Sequence, residues 1–166
     1  MVNGQNPKWI APPAGSVKIH VDAAVGRNSD RGALAVICRD EAGAYLGASA
    51  ITFEDLVDPE ILEAMASLEA LSLAGDLGCQ QIVVATDCMA TITHLKGEYK
   101  GPSAVTIQDI KQRMQDFTSV DYIHEKREMN LEAHKLSKAA TTLAFGRHIW
   151  LSILPDIICI PDLVVI

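Results

Sequence analysis

Aromatic residues are scarce in this sequence, and so are the long apolar runs and repeats that define several classes of protein. Phe, Trp and Tyr make up 5% of its 166 residues, and no dense basic stretch with interleaved aromatic residues is present. No apolar run reaches the roughly 20 residues that span a bilayer. The stretch Met1 to Pro13 lacks the basic start and apolar run of a secretory signal. We therefore expect an intracellular protein, nuclear or cytoplasmic, without a membrane partner.

Paired cysteines are also missing. The four cysteines contain no CxxC pair and are scattered through apolar segments, at Cys38, Cys79, Cys88 and Cys159. Metal-binding and redox motifs usually place cysteines two residues apart. We therefore expect buried, reduced thiols rather than disulfides or a zinc site.

Positive charge is in short supply overall but is unevenly distributed. The net charge is −7, which by itself argues against a nucleic-acid-binding protein. Residues 1–95 carry 5 basic and 12 acidic side chains, whereas residues 96–147 carry 9 basic and 7 acidic ones. A bound nucleic acid is therefore expected to lie against the second half of the chain.

The composition predicts one globular domain, because 49% of the residues are hydrophobic and 21% are charged. We predict an N-terminal extension over residues 1–13 and a folded domain over residues 14–147. Residues 148–166 are very apolar but are interrupted by two Pro-Asp pairs. We interpret them as a tail that packs on the domain, on a protein partner or on a second copy of the chain.

Hydrophobic periodicity predicts alternating strands and helices. Apolar alternation or short apolar runs indicate strands, and apolar residues three and four positions apart indicate helices. The predicted strands are 17–24, 34–38, 45–53, 82–85 and 120–123, and the predicted helices are 59–75, 89–95, 103–117 and 130–145.

The order of these elements predicts an α/β fold. Three successive strands with short connections favour an antiparallel meander, whereas strands joined through helices favour parallel pairing. The simplest architecture is a mixed five-stranded sheet, with three antiparallel strands followed by two parallel ones and with helices on both faces.

Three acidic residues stand where isolated carboxylates are unusual. Asp22 lies inside an otherwise apolar strand, Glu63 lies in the first turns of a helix, and Asp87 ends a strand. A buried carboxylate needs a cation or a hydrogen-bond partner, and Mg²⁺ prefers oxygen ligands. Two such ions can activate water and stabilise the leaving oxygen of a phosphodiester. The alternatives are a helix cap for Asp87 and a helix-dipole charge for Glu63.

The sequence resembles the plant-type, reverse-transcriptase-associated ribonuclease H family. The similar stretches are WIAPPAGSVKIHVDAA, RGALAVICRDEAG, ILEAMASLEALSLAGDLGCQQIVVATDC and HEKREMNLEAHKLSKAA, in the family's order and spacing. The resemblance implies the ribonuclease H-like fold and hydrolysis of the RNA strand of RNA–DNA hybrids with two Mg²⁺ or Mn²⁺ ions. It also implies metal-binding roles for Asp22, Glu63 and Asp87.

The sequence departs from the family pattern at the fourth metal-binding position. An aspartate is expected four residues after Asn130, but this sequence has His134. Imidazole suits Mn²⁺ or Zn²⁺ better than Mg²⁺, so His134 is either a metal ligand or an exposed helix residue without that role. The resemblance also implies proton transfer by His124, whose alternative is a surface position at a strand end.

Further candidates lie near these residues. His20 shares a strand face with Asp22, so it is either a hydrogen-bond partner of the site or a packed strand residue. Glu60, one turn before Glu63, is the alternative metal-binding glutamate if the predicted register of the helix is wrong. Phosphate-facing strips are suggested by two basic sets: Lys96, Lys100, Lys111 and Arg113, and then Lys126, Arg127, Lys135 and Lys138.

Two other functions remain open at this point. The domain could be of retrotransposon origin, with weakened catalysis, and bind a protein or a nucleic acid. It could also be a related nuclease that acts on DNA.

Overall fold

The computed structural model describes residues 9–155. Their helices and strands follow in the order β1 (Val17–Val25), β2 (Arg31–Arg39), β3 (Tyr45–Glu54), α1 (Pro59–Asp76), β4 (Gln81–Thr86), α2 (Met89–Leu95), α3 (Ala104–Met114), β5 (Ser119–His124), a short 3₁₀ helix (Arg127–Met129), α4 (Leu131–Ala140) and β6 (Gly146–Leu151).

The sheet has the strand order β5-β4-β1-β2-β3-β6. Strands β1, β2 and β3 pair antiparallel, whereas β4 pairs parallel with both β1 and β5. The predicted α/β class and the mixed sheet, with three antiparallel strands followed by parallel pairing, are confirmed. This order brings β1 and β4 side by side in the middle of the sheet.

The prediction of five strands was wrong, because the sheet has a sixth. Strand β6 pairs antiparallel with β3, from Thr52 opposite Gly146 to Gly47 opposite Leu151. Consequently α4 ends at Ala140 rather than near residue 145. The hydroxyl groups of Thr141 and Thr142 donate back to carbonyls of the last helical turn, and Gly146 then turns the chain with a φ of 108°.

Strand β6 also crosses the boundary predicted at residue 147. The first part of the expected tail therefore belongs to the sheet, and the remainder, from residue 156 onward, lies outside the described residues. The same holds for residues 1–8 of the expected N-terminal extension.

Helices cover both faces of the sheet, as expected. One face packs against α1, which in turn packs against α3, through a core that includes Ile19, Leu34, Leu71 and Ile110. The opposite face packs against α4, where Leu136 sits on the small side chains of Ala35 and Ala48. These small residues let α4 approach the sheet closely.

The start of α1 is fixed by a local cap. The Asp58 carboxylate accepts hydrogen bonds from the backbone N–H groups of Glu60 and Ile61, at 2.9 and 3.4 Å, and Pro59 occupies the first turn. The loop before this cap passes directly over Gly32, where a Cβ atom would stand 2.0 Å from the Leu56 carbonyl oxygen. The glycine therefore allows the close approach that places α1 over the sheet.

Cys38, Cys79 and Cys88 are free thiols, and Cys159 lies outside the described residues. No helix within residues 9–155 combines the length and the apolar character needed to cross a bilayer.

A buried ion pair joins β1 to the segment after β5. Lys18 is 1% exposed and forms an ion pair with Glu125, which is also buried. The Lys18 ammonium additionally donates to the Ile10 carbonyl oxygen at 2.8 Å, and the imidazole of His20 lies 3.6 Å from Glu125. Burial opposes the charged form of Glu125, yet the nearby His20 imidazole and Lys18 ammonium lower the pKa of this carboxyl. The pair thus anchors the segment that leads into α4.

We predict that Glu125→Gln lowers the free energy of unfolding by about 3 kcal/mol, because the buried Lys18 ammonium loses its counter-charge. The double variant Lys18→Met/Glu125→Gln should be more stable than Glu125→Gln alone, since both charges are then removed together. Urea unfolding at pH 7 measures both effects. If the loss in the double variant equals the sum of the losses in Lys18→Met and Glu125→Gln, the two residues are not coupled.

Candidate metal centre

Asp22 lies where two central strands separate. The parallel pairing of β1 with β4 runs from Val17 opposite Ile82 to His20 opposite Ala85, so Asp22 stands just beyond its end. Its antiparallel neighbour on β2 is Ala35, and Asp22 itself is 1% exposed. In α/β sheets the carboxyl ends of parallel strands are where ligands bind.

Asp87 comes from the neighbouring strand end. It directly follows β4, and the Thr86 hydroxyl accepts a hydrogen bond from the Cys88 N–H at 3.0 Å, which fixes the turn around Asp87. The carboxylate is mostly buried, with 18% of the side chain exposed, and Arg127 lies 3.5 Å from it. Asp87 is thus held beside the position that Asp22 occupies.

Glu63 approaches from α1, which packs on β1 and β2. One oxygen from each of Glu63, Asp22 and Asp87 lies within 4.8 Å of the other two. The structure therefore brings together the three carboxylates that were predicted from their sequence positions.

The three carboxylates repel one another when all of them are ionised. Burial, together with the charges of Asp22 and Asp87, raises the pKa of Glu63 to about 8, although the Ala23 backbone and the Arg127 charge act in the opposite direction. Oxygen Oε2 of Glu63 is buried and has no hydrogen-bond partner in the described protein. A divalent cation would satisfy this oxygen and relieve the repulsion, so the residues fit the predicted metal.

The buried carboxylate of Asp22 is oriented from α4. Its Oδ2 accepts a hydrogen bond from the Ser137 hydroxyl at 2.9 Å, and His134 Nδ1 lies 2.9 Å from the same oxygen. A carboxylate only accepts, so the imidazole donates to it from Nδ1. Ser137 escaped the sequence analysis, although its spacing of three residues from His134 on one helix face indicates a shared neighbour.

Asn130 fixes α4 relative to β1. Its side chain makes no cap hydrogen bond to the helix but donates from Nδ2 to the Val21 carbonyl oxygen at 2.7 Å. Because Val21 precedes Asp22, this bond sets the distance between α4 and the acidic residues. The asparagine that was expected to open the last helix therefore also ties it to the strand of the site.

The structure separates the remaining candidates. Glu60 contacts the Tyr99 hydroxyl and is outside the acidic group, so Glu63 has the correct register. His20 faces Glu125. His124 ends β5 opposite Thr86, is exposed, and forms no ion pair or hydrogen bond with the three carboxylates in the described chain. Its role in proton transfer and the role of His134 as a ligand stay predictions.

In metal-free protein we predict that stability decreases as the pH rises from about 4.5 to about 8 because of Glu63. Its pKa in the folded state exceeds the usual value of 4.5, so the folded state holds the proton that the unfolded state releases over this window. Glu63→Gln should remove this dependence and make the protein more stable at pH 8 by about 1–3 kcal/mol, after allowance for solvent screening.

Urea unfolding in EDTA between pH 5 and 9 measures this difference. Glu60→Gln, one turn earlier and outside the acidic group, is the matched control. A difference between the parent and Glu63→Gln that stays constant with pH would contradict the raised pKa.

Solved structures of other proteins share this architecture. RNase H1 from the halophilic archaeon Halobacterium salinarum superposes with a TM-score of 0.67 at 19% identity, over 73% of this chain and 93% of that chain. The N-terminal RNase H domain of a Mycobacterium tuberculosis protein gives a TM-score of 0.67 at 16% identity, over 76% and 95% of the two chains.

A third similar structure is LC11-RNase H1 in complex with an RNA/DNA hybrid. It gives a TM-score of 0.65 at 19% identity, over 72% of this chain and 92% of that chain. At these identities the similarity establishes the fold. No protein with a curated description matches the sequence.

The sequence also matches a known protein family, described as reverse transcriptase-like, over residues 20–140. The match includes the three carboxylates, His124 and His134, whereas β6 lies beyond it. Because it spans most of the chain, this protein belongs to the reverse transcriptase-like family and has its ribonuclease H-like domain.

Proposed function

We propose that this protein is a metal-dependent endoribonuclease that hydrolyses the RNA strand of RNA–DNA hybrids. The observation that carries the proposal is the convergence of Asp22, Glu63 and Asp87, together with the unpartnered buried oxygen of Glu63. Carboxylates suit this chemistry because they neutralise hard cations without offering a competing nucleophile.

Two Mg²⁺ or Mn²⁺ ions would supply an activated water and stabilise the leaving oxygen. Asp22, Glu63 and Asp87 would hold one of them. Asp22 and His134 would hold the second, with a phosphate oxygen of the substrate completing its ligands. Ser137 holds Asp22 in a fixed orientation, so the carboxylate shared by both positions cannot rotate freely.

An RNA–DNA hybrid is the substrate that the proposal favours. The similar LC11-RNase H1 was solved with such a hybrid, and hybrids are recognised through phosphates, shape and ribose 2′-hydroxyl groups. Arg127, with 63% of its side chain exposed, stands beside Asp87 and supplies positive charge at the rim of an otherwise acidic site. It belongs to the second of the predicted basic strips.

A binding role is the second candidate function. His134 occupies the position where a fourth carboxylate was expected, and apolar side chains are exposed at the end of the described chain, with Ile149 40%, Leu151 44% and Ile153 71% exposed. A domain with weakened catalysis could use these residues to bind a protein partner or a second copy. Such a protein would bind without cleaving.

Purified protein should cleave the RNA strand of a labelled hybrid in the presence of Mg²⁺ or Mn²⁺. We predict that Asp22→Asn and Asp87→Asn each lower the rate at least about 100-fold, because each removes a charge that holds the cation. Asp109→Asn, on the exposed side of α3, is the matched control and should retain the rate.

A panel of substrates completes this assay. Cleavage that persists in both site variants would rule out this centre. Cleavage of double-stranded DNA in preference to the hybrid would identify the related DNA nuclease instead, and binding without cleavage would favour the binding role.

The residue at position 134 should control the metal preference. We predict that His134→Asp raises activity severalfold in Mg²⁺ and less in Mn²⁺, because a carboxylate suits Mg²⁺ better than imidazole does. His134→Asn, which removes the imidazole without adding charge, is the control. Rates of hybrid cleavage in each metal measure the effect, and an unchanged or lower rate in both metals would remove the ligand role of this position.

A further inference from the structure

A cavity of about 620 Å³ opens between the β1–β2 hairpin and the C-terminal end of α4. Its lining combines three basic side chains with three hydroxyl side chains. These are Arg27, Arg31 and Lys138, and then Ser29, Thr141 and Thr142. In a chain of net charge −7, such a concentration of positive charge in a concave site needs an explanation.

The cavity lies close to the acidic centre along two elements. Val25, in its wall, follows Asp22 by three residues, which is about 10 Å along a strand. Lys138 follows His134 by four residues, one turn or about 6 Å along α4. Lys138 is also next in sequence to Ser137, whose hydroxyl contacts Asp22 directly. A nucleic-acid strand bound at the acidic centre would therefore reach the cavity within a few nucleotides.

The end of α4 does not account for these basic residues. Positive side chains near a helix C-terminus ordinarily satisfy its free carbonyl groups, but here the hydroxyls of Thr141 and Thr142 already donate to the carbonyls of Lys138 and Ala139, at 2.7 and 2.8 Å. The Thr52 hydroxyl donates a hydrogen bond to the Ala140 carbonyl oxygen at 2.7 Å. The negative end of the helix is thus already covered.

The guanidinium of Arg31 has a fixed orientation in the wall of the cavity. Its guanidinium donates to the Leu143 carbonyl oxygen at 2.8 Å and stacks over the Phe145 ring at 4.4 Å. These two contacts fix the plane of the group while leaving other N–H donors available. A preorganised guanidinium loses little side-chain entropy when it binds a phosphate.

The three cations lack internal counter-charges. Within residues 9–155, none of them has an acidic oxygen within the 4.0 Å of an ion pair, although Asp30 lies in the same hairpin and Glu54 stands opposite Arg31 on β3. Arg27 and Lys138 are exposed. The charges of Arg27 and Lys138 are therefore directed to solvent rather than used within the fold.

We propose that this cavity is a subsite for a backbone phosphate of the nucleic-acid substrate, a few nucleotides from the position of cleavage. The proposal rests on the proposed nuclease function and places two of its basic residues, Arg27 and Arg31, in the first half of the chain. Charge-assisted hydrogen bonds from arginine and lysine are the contacts that bind phosphates, and the Ser29 hydroxyl lies beside these residues. Such contacts position the strand without reading its sequence.

The test compares two double variants of the full chain that lose the same charge. Arg27→Gln/Lys138→Gln removes the two solvent-facing cations of the cavity, whereas Gln80→Glu/Gln81→Glu lowers the net charge by the same two units at exposed positions where β4 begins, at the opposite end of that strand from Asp87. Both are made in an Asp87→Asn background, so that a fluorescent RNA–DNA hybrid stays intact. Fluorescence anisotropy gives Kd between about 50 and 200 mM salt, and circular dichroism verifies folding.

We expect the cavity variant to bind about 10-fold more weakly at the lowest salt, and the slope of log K against log salt to fall by about 1. The control variant should change much less, with an unchanged slope. Equal losses in both variants, or an unaltered slope in the cavity variant, would overturn the subsite. If the cavity variant loses binding but the parent protein does not cleave the hybrid, the subsite proposal stands and the proposed nuclease function is rejected. Failure of the parent to bind any duplex would reject both.

Discussion

The mutual repulsion of three clustered carboxylates, one buried and two half-buried, is the constraint on which this structure depends. Asp22, Glu63 and Asp87 lie within 4.8 Å of one another, at the point where β1 and β4 end their pairing. Burial, together with the charges of Asp22 and Asp87, raises the pKa of Glu63 to about 8, and this arrangement costs stability unless a cation is bound. A fold that maintains such a cost in its centre indicates a site that is built to hold positive charge.

The surrounding contacts hold the carboxylates against this repulsion. The Asp58 cap and Pro59 set the start of α1 and hence the position of Glu63. On the other face, Asn130 ties α4 to β1, and Ser137 and His134 meet one oxygen of Asp22. Two helices on opposite faces of the sheet therefore converge on the same strand, and the site follows from the layered architecture rather than from a single loop.

Much of this could be predicted from the sequence, because apolar periodicity fixes the burial of β1, α1 and β4, and the acidic residues interrupt that pattern. Strand β6 was missed for a physical reason. Its short segment continues from a helical pattern, and only pairing with β3 makes it a strand. Ser137 and the hairpin arginines were missed because their roles depend on tertiary contacts, with Asp22 and with the end of α4, that no local spacing specifies.

The most direct test of the central claim is a crystal structure of the protein grown with Mn²⁺, with anomalous diffraction to locate the ion. The account predicts a peak within about 2.0–2.3 Å of one oxygen from each of Asp22, Glu63 and Asp87. Carboxylates that point apart into solvent, or an ion bound only elsewhere, would contradict it.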